Sequence, residues 1–106
     1  MPSIEAIRKI IEQAPNDPFP RYGLAMELRR QKLFDDARAA FAELADKHPD
    51  YVPQYLMHGQ LLVEIGDKGA ARQVVERGLA AARKKGDAHA ASEHSALLGD
   101  LSGDED

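Results

Sequence analysis

Hydrophobic residues recur along most of this chain at steps of three and four, which is the spacing of one face of an α-helix. The first segment shows the pattern most clearly, because charged residues lie opposite an isoleucine stripe formed by Ile4, Ile7, Ile10 and Ile11. No segment alternates apolar and polar residues over a useful length, so no β-strand is predicted. The pattern therefore predicts an all-α chain of six helices, at residues 3–14, 18–31, 35–48, 52–65, 68–85 and 88–100.

Residues that start or stop helices separate these segments. Pro15 forbids continuation of the first helix, and Asp17 can cap the second helix with Pro18 at its first position. Gly66 is predicted as a left-handed cap, and the fifth helix is predicted to end at Gly86. The breaks are short, so successive helices are predicted to be antiparallel neighbours.

A proline directly after a predicted helix occurs twice in the chain, at Pro15 and again at Pro49. A shift of the chain by the interval between these two prolines also brings like residues together, including Leu28 with Leu62, Ala37–Arg38 with Ala71–Arg72, and the small residues Ala25 with Gly59. Paired helices that repeat at a period of about 34 residues indicate a helical solenoid, in which each hairpin packs on its neighbour. The small residues are predicted to lie where two helices cross closely.

At these positions the chain resembles the tetratricopeptide repeat family. One unit that starts at Pro18 supplies the family's small, alanine, aromatic and proline positions as Ala25, Ala37, Phe41 and Pro49. A second unit that starts at Val52 supplies Gly59, Ala71 and Val75, with Gly66–Asp67 at the turn between its helices. Arg83 stands where the family has proline, so the fifth helix is predicted to continue toward Gly86. The resemblance implies an α-α superhelix of about two full repeats with a flanking helix at each end.

Composition restricts the class of protein. The chain has 106 residues and is predicted to form a single domain at 1–101, followed by a disordered acidic tail at 102–106. Its formal net charge of −4 argues against nucleic-acid binding, and the absence of cysteine excludes disulfides. The first residues do not resemble a signal peptide, and no apolar run approaches the ~18 residues of a membrane span. We therefore expect a cytoplasmic protein that does not bind membranes.

The sequence offers no constellation of catalytic residues. His89 and Glu93 are four residues apart on the last predicted helix, but two ligands do not make a metal site, and we interpret them as exposed polar residues. The carboxylates from Glu27 to Asp46 are interpreted as a solvated face, and the basic run Arg83–Lys85 as cations at a helix C-terminus. The chain is predicted not to be an enzyme and to bind no cofactor or metal.

The family resemblance implies a binding surface on the concave side, which the first helix of each repeat lines. The corresponding residues here are Phe19, Tyr22, Met26 and Arg29 in the first unit and Pro53, Leu56, Gln60 and Val63 in the second, with Met57 adjacent. Chaperone-binding members of the family grip a terminal carboxylate with lysine and asparagine, which Tyr22 and Met26 replace here. The alternative is that Phe19, Tyr22 and Met26 pack on the N-terminal hairpin and bind nothing.

These observations predict that the chain is a non-catalytic interaction module or scaffold, which binds a protein or peptide partner on its concave face. Self-association as a structural subunit is the first alternative, because the ends of a solenoid expose apolar faces. The candidate contacts are the isoleucine stripe and Leu97, Leu98 and Leu101. We therefore expect a monomer or a weak homo-oligomer. An accessory protein that binds a small ligand or is itself an enzyme is the second alternative.

Overall fold

The computed structural model describes residues 3–103 of the chain. Within them it contains six helices and no strand, as predicted: α1 Ile4–Gln13, α2 Pro18–Arg30, α3 Phe34–Lys47, α4 Pro53–Glu64, α5 Lys68–Lys85 and α6 Ala88–Gly103. Burial of Leu101 holds the last turn of α6, which therefore extends into the segment predicted as an acidic tail. The rest of that tail, residues 104–106, lies outside the described residues. No helix in the described part of the chain combines the length and apolar character needed to span a bilayer.

Polar side chains cap the N-termini of four helices. The Ser3 hydroxyl accepts a hydrogen bond from the Ala6 amide at 3.1 Å, and the Asp17 carboxylate accepts one from Phe19 at 3.0 Å. The Asp67 and Asp87 carboxylates cap α5 and α6 in the same way, each at 3.0 Å. A cap of this kind stabilises a helix by about 1 kcal/mol, because it pairs an amide that has no partner within the helix.

The turns repeat with the sequence. The Leu33 amide donates to the Leu28 carbonyl at 2.9 Å, and at the equivalent positions of the next repeat the Asp67 amide donates to the Leu62 carbonyl at 2.8 Å. Both turns contain a left-handed residue, which is Gly66 with φ 87° in one and Lys32 with φ 62° in the other.

The prolines also act alike in the two repeats. Ala14 and His48, which precede Pro15 and Pro49, end α1 and α3 with nearly the same backbone angles, φ −132° ψ 63° and φ −136° ψ 67°. A residue before proline is kept out of the helical region by the proline ring. Each helix therefore stops there.

The chain divides into two compact units, Met1–Pro49 and Asp50–Asp106. In the first unit α2 packs against α3 and also against α1. The buried residues of α2 and α3 include Leu24, Ala25, Leu28, Ala37, Phe41, Leu44 and Ala45. Only Ile7 of the predicted isoleucine stripe is buried, because α2 is the one helix in the described part of this unit that packs against α1.

In the second unit α5 packs against both α4 and α6. Gly59 of α4 lies so close to α5 that an added Cβ would overlap the Cγ2 of Val75 and would lie 3.7 Å from the Leu97 side chain. This close approach confirms the prediction that a small residue is needed there. Gly86, with φ 71°, ends α5 where the sequence predicts. Val52, Ala82 and Ala90 form a buried cluster at one end of the unit.

Candidate functional site

Four residues of the predicted concave surface lie on α2, and their spacing of three and four residues places them on one face of that helix. Phe19 is 67% exposed, whereas Tyr22, Met26 and Arg29 are half-buried. Burial raises the pKa of the Tyr22 phenol above its ordinary value, so this side chain stays neutral. Phe19 keeps most of its surface exposed, although it lies beside Ile7 and Ile10 of α1.

The second unit carries its part of the predicted surface on α4. Leu56, Met57, Gln60 and Val63 are all half-buried. The fully covered side of the same helix includes Tyr55, Gly59 and Leu62. The half-buried residues therefore form a partly accessible edge of α4 that is mainly apolar.

An equivalent pair of side chains ties the first helix of each repeat to the second. In the first unit the Arg21 guanidinium lies 3.3 Å from the Glu43 carboxylate of α3. At the equivalent positions of the second unit, the Arg77 guanidinium of α5 lies 5.9 Å from the centre of the Tyr55 ring. Arg21 stands at the position that Tyr55 occupies in the second unit, and the ion pair with Glu43 takes the place of the cation–π contact.

A cluster of hydrogen-bonded polar side chains lies on the side of α2 opposite Arg29. The Glu27 carboxylate accepts hydrogen bonds from Arg30 Nη2 at 2.6 Å and Nε at 3.0 Å, and from Gln31 Nε2 at 2.8 Å. These hydrogen bonds lower the pKa of Glu27 to about 2, and the one from Arg30 has the largest effect. The carboxylate therefore stays ionised. The prediction that Glu27 belongs to a solvated face is wrong, because its side chain is only 8% exposed.

An apolar groove lies between α1 and α2, which we call the α1–α2 groove. It encloses about 320 Å³ and is lined by Ile7, Ile10, Phe19, Pro20, Gly23 and Glu27. The space beside Gly23 is open, since a Cβ there would meet no atom within 4 Å. The sequence gives one signal of this groove, which is that Ile10 belongs to the apolar stripe of α1.

Two histidines of α6 occupy different environments. His89 is exposed, and its Nε2 lies 3.4 Å from the Glu93 carboxylate. His94 is buried, and its Nδ1 lies 2.7 Å from the Ala90 carbonyl oxygen. Within residues 3–103, no group of three or more histidine or acidic side chains is placed to hold a metal ion.

Comparisons with known structures identify similar folds. The solution structure of a tetratricopeptide repeat domain protein from Salinibacter ruber shares 33% identity with this chain, covers 86% of this chain and 92% of its own, and has a TM-score of 0.81. The solution structure of a Bordetella parapertussis protein shares 27% identity, covers 96% of this chain and 89% of its own, and has a TM-score of 0.79.

A third structure, the TPR2B domain of yeast Sti1 in a complex with pHsp70, is similar in fold alone. It shares 19% identity, covers 93% of this chain and 79% of its own, and has a TM-score of 0.84. No family model matches the chain, and no curated protein matches it.

Proposed function

Because this chain belongs to the tetratricopeptide repeat family, we propose that it is a non-catalytic interaction module that binds a peptide or a helix of a partner protein. The proposed surface consists of the α2 residues Phe19, Tyr22, Met26 and Arg29 and the α4 residues Leu56, Met57, Gln60 and Val63. In the family this surface is the concave one, which the first helix of each repeat lines.

The observation that carries this proposal is the exposure of Phe19 on the same face of α2 as Tyr22 and Met26. A phenylalanine that is 67% exposed leaves much of its apolar surface in water. A ligand that covers it would recover part of the ~1.5–3 kcal/mol that full burial of such a side chain contributes. Methionine adapts its shape to different apolar ligands, so Met26 and Met57 suit this role.

The residues of the proposed surface favour binding of an apolar segment of the partner rather than of its terminal carboxylate. Tyr22 and Met26 stand where chaperone-binding members of the family carry a lysine and an asparagine for a terminal carboxylate. The ligand would therefore bind through apolar side chains, and Arg29 would pair with an acidic group of the ligand. The fold shared with the Sti1 domain, which is in a complex with pHsp70, supports a protein or peptide as the class of partner. We propose no nucleic-acid partner, because the chain carries a net charge of −4.

Affinity purification with mass spectrometry would identify the partner, with the double variant Tyr22→Ala and Met26→Ala as the comparison. We expect the double variant to lose the partner while its far-ultraviolet circular dichroism stays that of the wild type. Leu33→Ala provides a matched control, because Leu33 is an exposed apolar residue in the turn before α3. Equal capture by wild type and double variant would overturn the proposal.

A further inference from the structure

His94 places an ionisable ring in the interior of the second unit. Its side chain is 1% exposed and lies between α6 and Gly78 of α5. The Nδ1 atom is 2.7 Å from the Ala90 carbonyl oxygen, which can only accept a hydrogen bond, so Nδ1 carries the proton of the neutral ring. Nε2 is buried and has no hydrogen-bond partner among the described residues. The atom that would take a second proton is therefore enclosed by the fold.

A second proton on His94 is costly in the folded chain. It would go to Nε2, on the ring edge that faces Gly78, where even one added carbon atom would overlap the ring. The new N–H would have no acceptor, and the positive charge would be buried. In the unfolded chain the same ring is hydrated, and an imidazole in water takes the proton at about pH 6.5. The folded chain therefore binds this proton less readily than the unfolded chain.

The helix faces packed around the ring carry no carboxylate that would compensate its charge. On α4 the buried titratable residues are Tyr55 and His58, and burial raises the pKa of the Tyr55 phenol, so it stays neutral. Arg77 and Asp50 act on this phenol with opposite charges, and both are exposed. On α6 itself the Glu93 carboxylate is 45% exposed. The buried residues of α5 do not titrate: Ala71, Val74, Val75, Gly78 and Ala82.

We propose that His94 makes the docking of α6 onto α5 sensitive to pH. The neutral ring fits between the helices, whereas the protonated ring favours states in which α6 is released and the ring is hydrated. Because the folded chain binds the proton less readily, the docked state is fully stable above about pH 6.5 and loses stability as the pH falls below this value. Release of α6 would uncover the apolar face of α5 around Gly78 and Ala82. The end of the repeat array would then expose a surface on which another helix can pack.

Two measurements on the full chain test this proposal. Amide hydrogen exchange, corrected for the pH dependence of the exchange chemistry, reports the opening of α6. We expect the open fraction of α6 to rise about tenfold between about pH 7.5 and about pH 5.5. Nuclear magnetic resonance of the histidine rings should show His94 as the neutral form in the docked state while the exposed His89 titrates. An open fraction that does not change with pH, or a His94 ring that titrates together with His89 while α6 stays docked, would overturn the proposal.

Substitution of single histidines identifies the ring responsible. His94→Gln has a side chain that stays neutral over this pH range, so it should lose the pH-dependent rise in the open fraction of α6. His89→Gln is the matched control on the same helix, because His89 is exposed, and it should keep the rise. A full rise in His94→Gln, or its loss in His89→Gln, would overturn the proposal. If His94→Gln does not fold, the ring titration of the wild type decides. No residue of α6 belongs to the proposed partner surface, so this test is independent of partner capture.

Discussion

His94 of α6 lies directly against Gly78 of α5. A Cβ at Gly78 would overlap the His94 ring and also the Cβ of Tyr55 from α4. His94 Nδ1 is 2.7 Å from the Ala90 carbonyl oxygen, so we assign the ring proton to this nitrogen, which donates the hydrogen bond. The ring edge that carries Nε2 then faces Gly78, and Nε2 has no hydrogen-bond partner among the described residues. Three helices of the second unit therefore meet at a position where only glycine fits.

This contact predicts that Gly78→Ala destabilises the second unit. The added methyl group forces α4 and α6 away from α5, which we expect to lower the free energy of unfolding by about 1–3 kcal/mol despite the better helix propensity of alanine. Urea unfolding followed by circular dichroism measures the change. Gly69→Ala is the control, because its Cβ would meet only Asp67 Oδ1, at 3.9 Å, and it should be neutral or slightly stabilising. Equal stability of Gly78→Ala and wild type would contradict the contact.

Lys32 and Gly66 occupy the same left-handed position in successive repeats. A residue with a Cβ is strained there, by roughly 1–2 kcal/mol, whereas glycine is not. Lys32→Gly should therefore raise the free energy of unfolding, by about 0.5–1 kcal/mol after the greater freedom of glycine in the unfolded chain is subtracted. The reciprocal change Gly66→Lys should lower it. Thermal or urea unfolding of the two variants measures both changes, and a Lys32→Gly variant less stable than wild type would count against this backbone geometry.

The Glu27 carboxylate makes the stability of the first unit depend on pH. Its pKa in the folded chain is about 2, below the ordinary value of 4.5, so the folded chain binds this proton less readily than the unfolded chain. The hydrogen bonds of Glu27 therefore stabilise the fold fully above about pH 4.5, and this stabilisation is lost as the pH falls toward 2.

Glu27→Gln tests this dependence. The variant should be less stable than wild type at neutral pH, and the difference should narrow as the pH falls below about 4.5. Urea unfolding at a series of pH values measures the difference at each step. In an Arg30→Gln background the largest cause of the low pKa is gone, so the effect of Glu27→Gln and its narrowing with pH should both diminish. If Glu27→Gln and wild type differ in free energy of unfolding by the same amount at every pH, the proposed pH dependence through Glu27 is wrong.

The repeated parts of the fold could be predicted from the sequence because they depend on local rules. Proline stops the helix before it, so Ala14 and His48 take the same conformation. Gly66 supplies a left-handed residue, and its turn could be placed from its type alone. Lys32 adopts the same conformation without being glycine, so only the repeat itself indicates that turn.

The parts that could not be predicted depend on which helix covers which face. Glu27 has Arg30 and Gln31 at the right spacing to pair with it, but nothing in the spacing shows that its side chain is only 8% exposed. The isoleucines of α1 form one stripe in sequence, yet packing against α2 buries only Ile7. The α2 and α4 residues of the proposed partner surface were assigned by family resemblance, and their role in binding stays a prediction.

The most direct test of the proposed function compares two double variants for binding of the partner that affinity purification identifies. One carries Tyr22→Ala and Met26→Ala in α2, and the other carries Leu56→Ala and Val63→Ala in α4, so each removes apolar contacts from a different unit. We expect each to raise the dissociation constant by about tenfold or more, while circular dichroism stays unchanged and Leu33→Ala binds like wild type. Full-strength binding by either double variant would contradict the assignment of the residues it replaces to the partner surface.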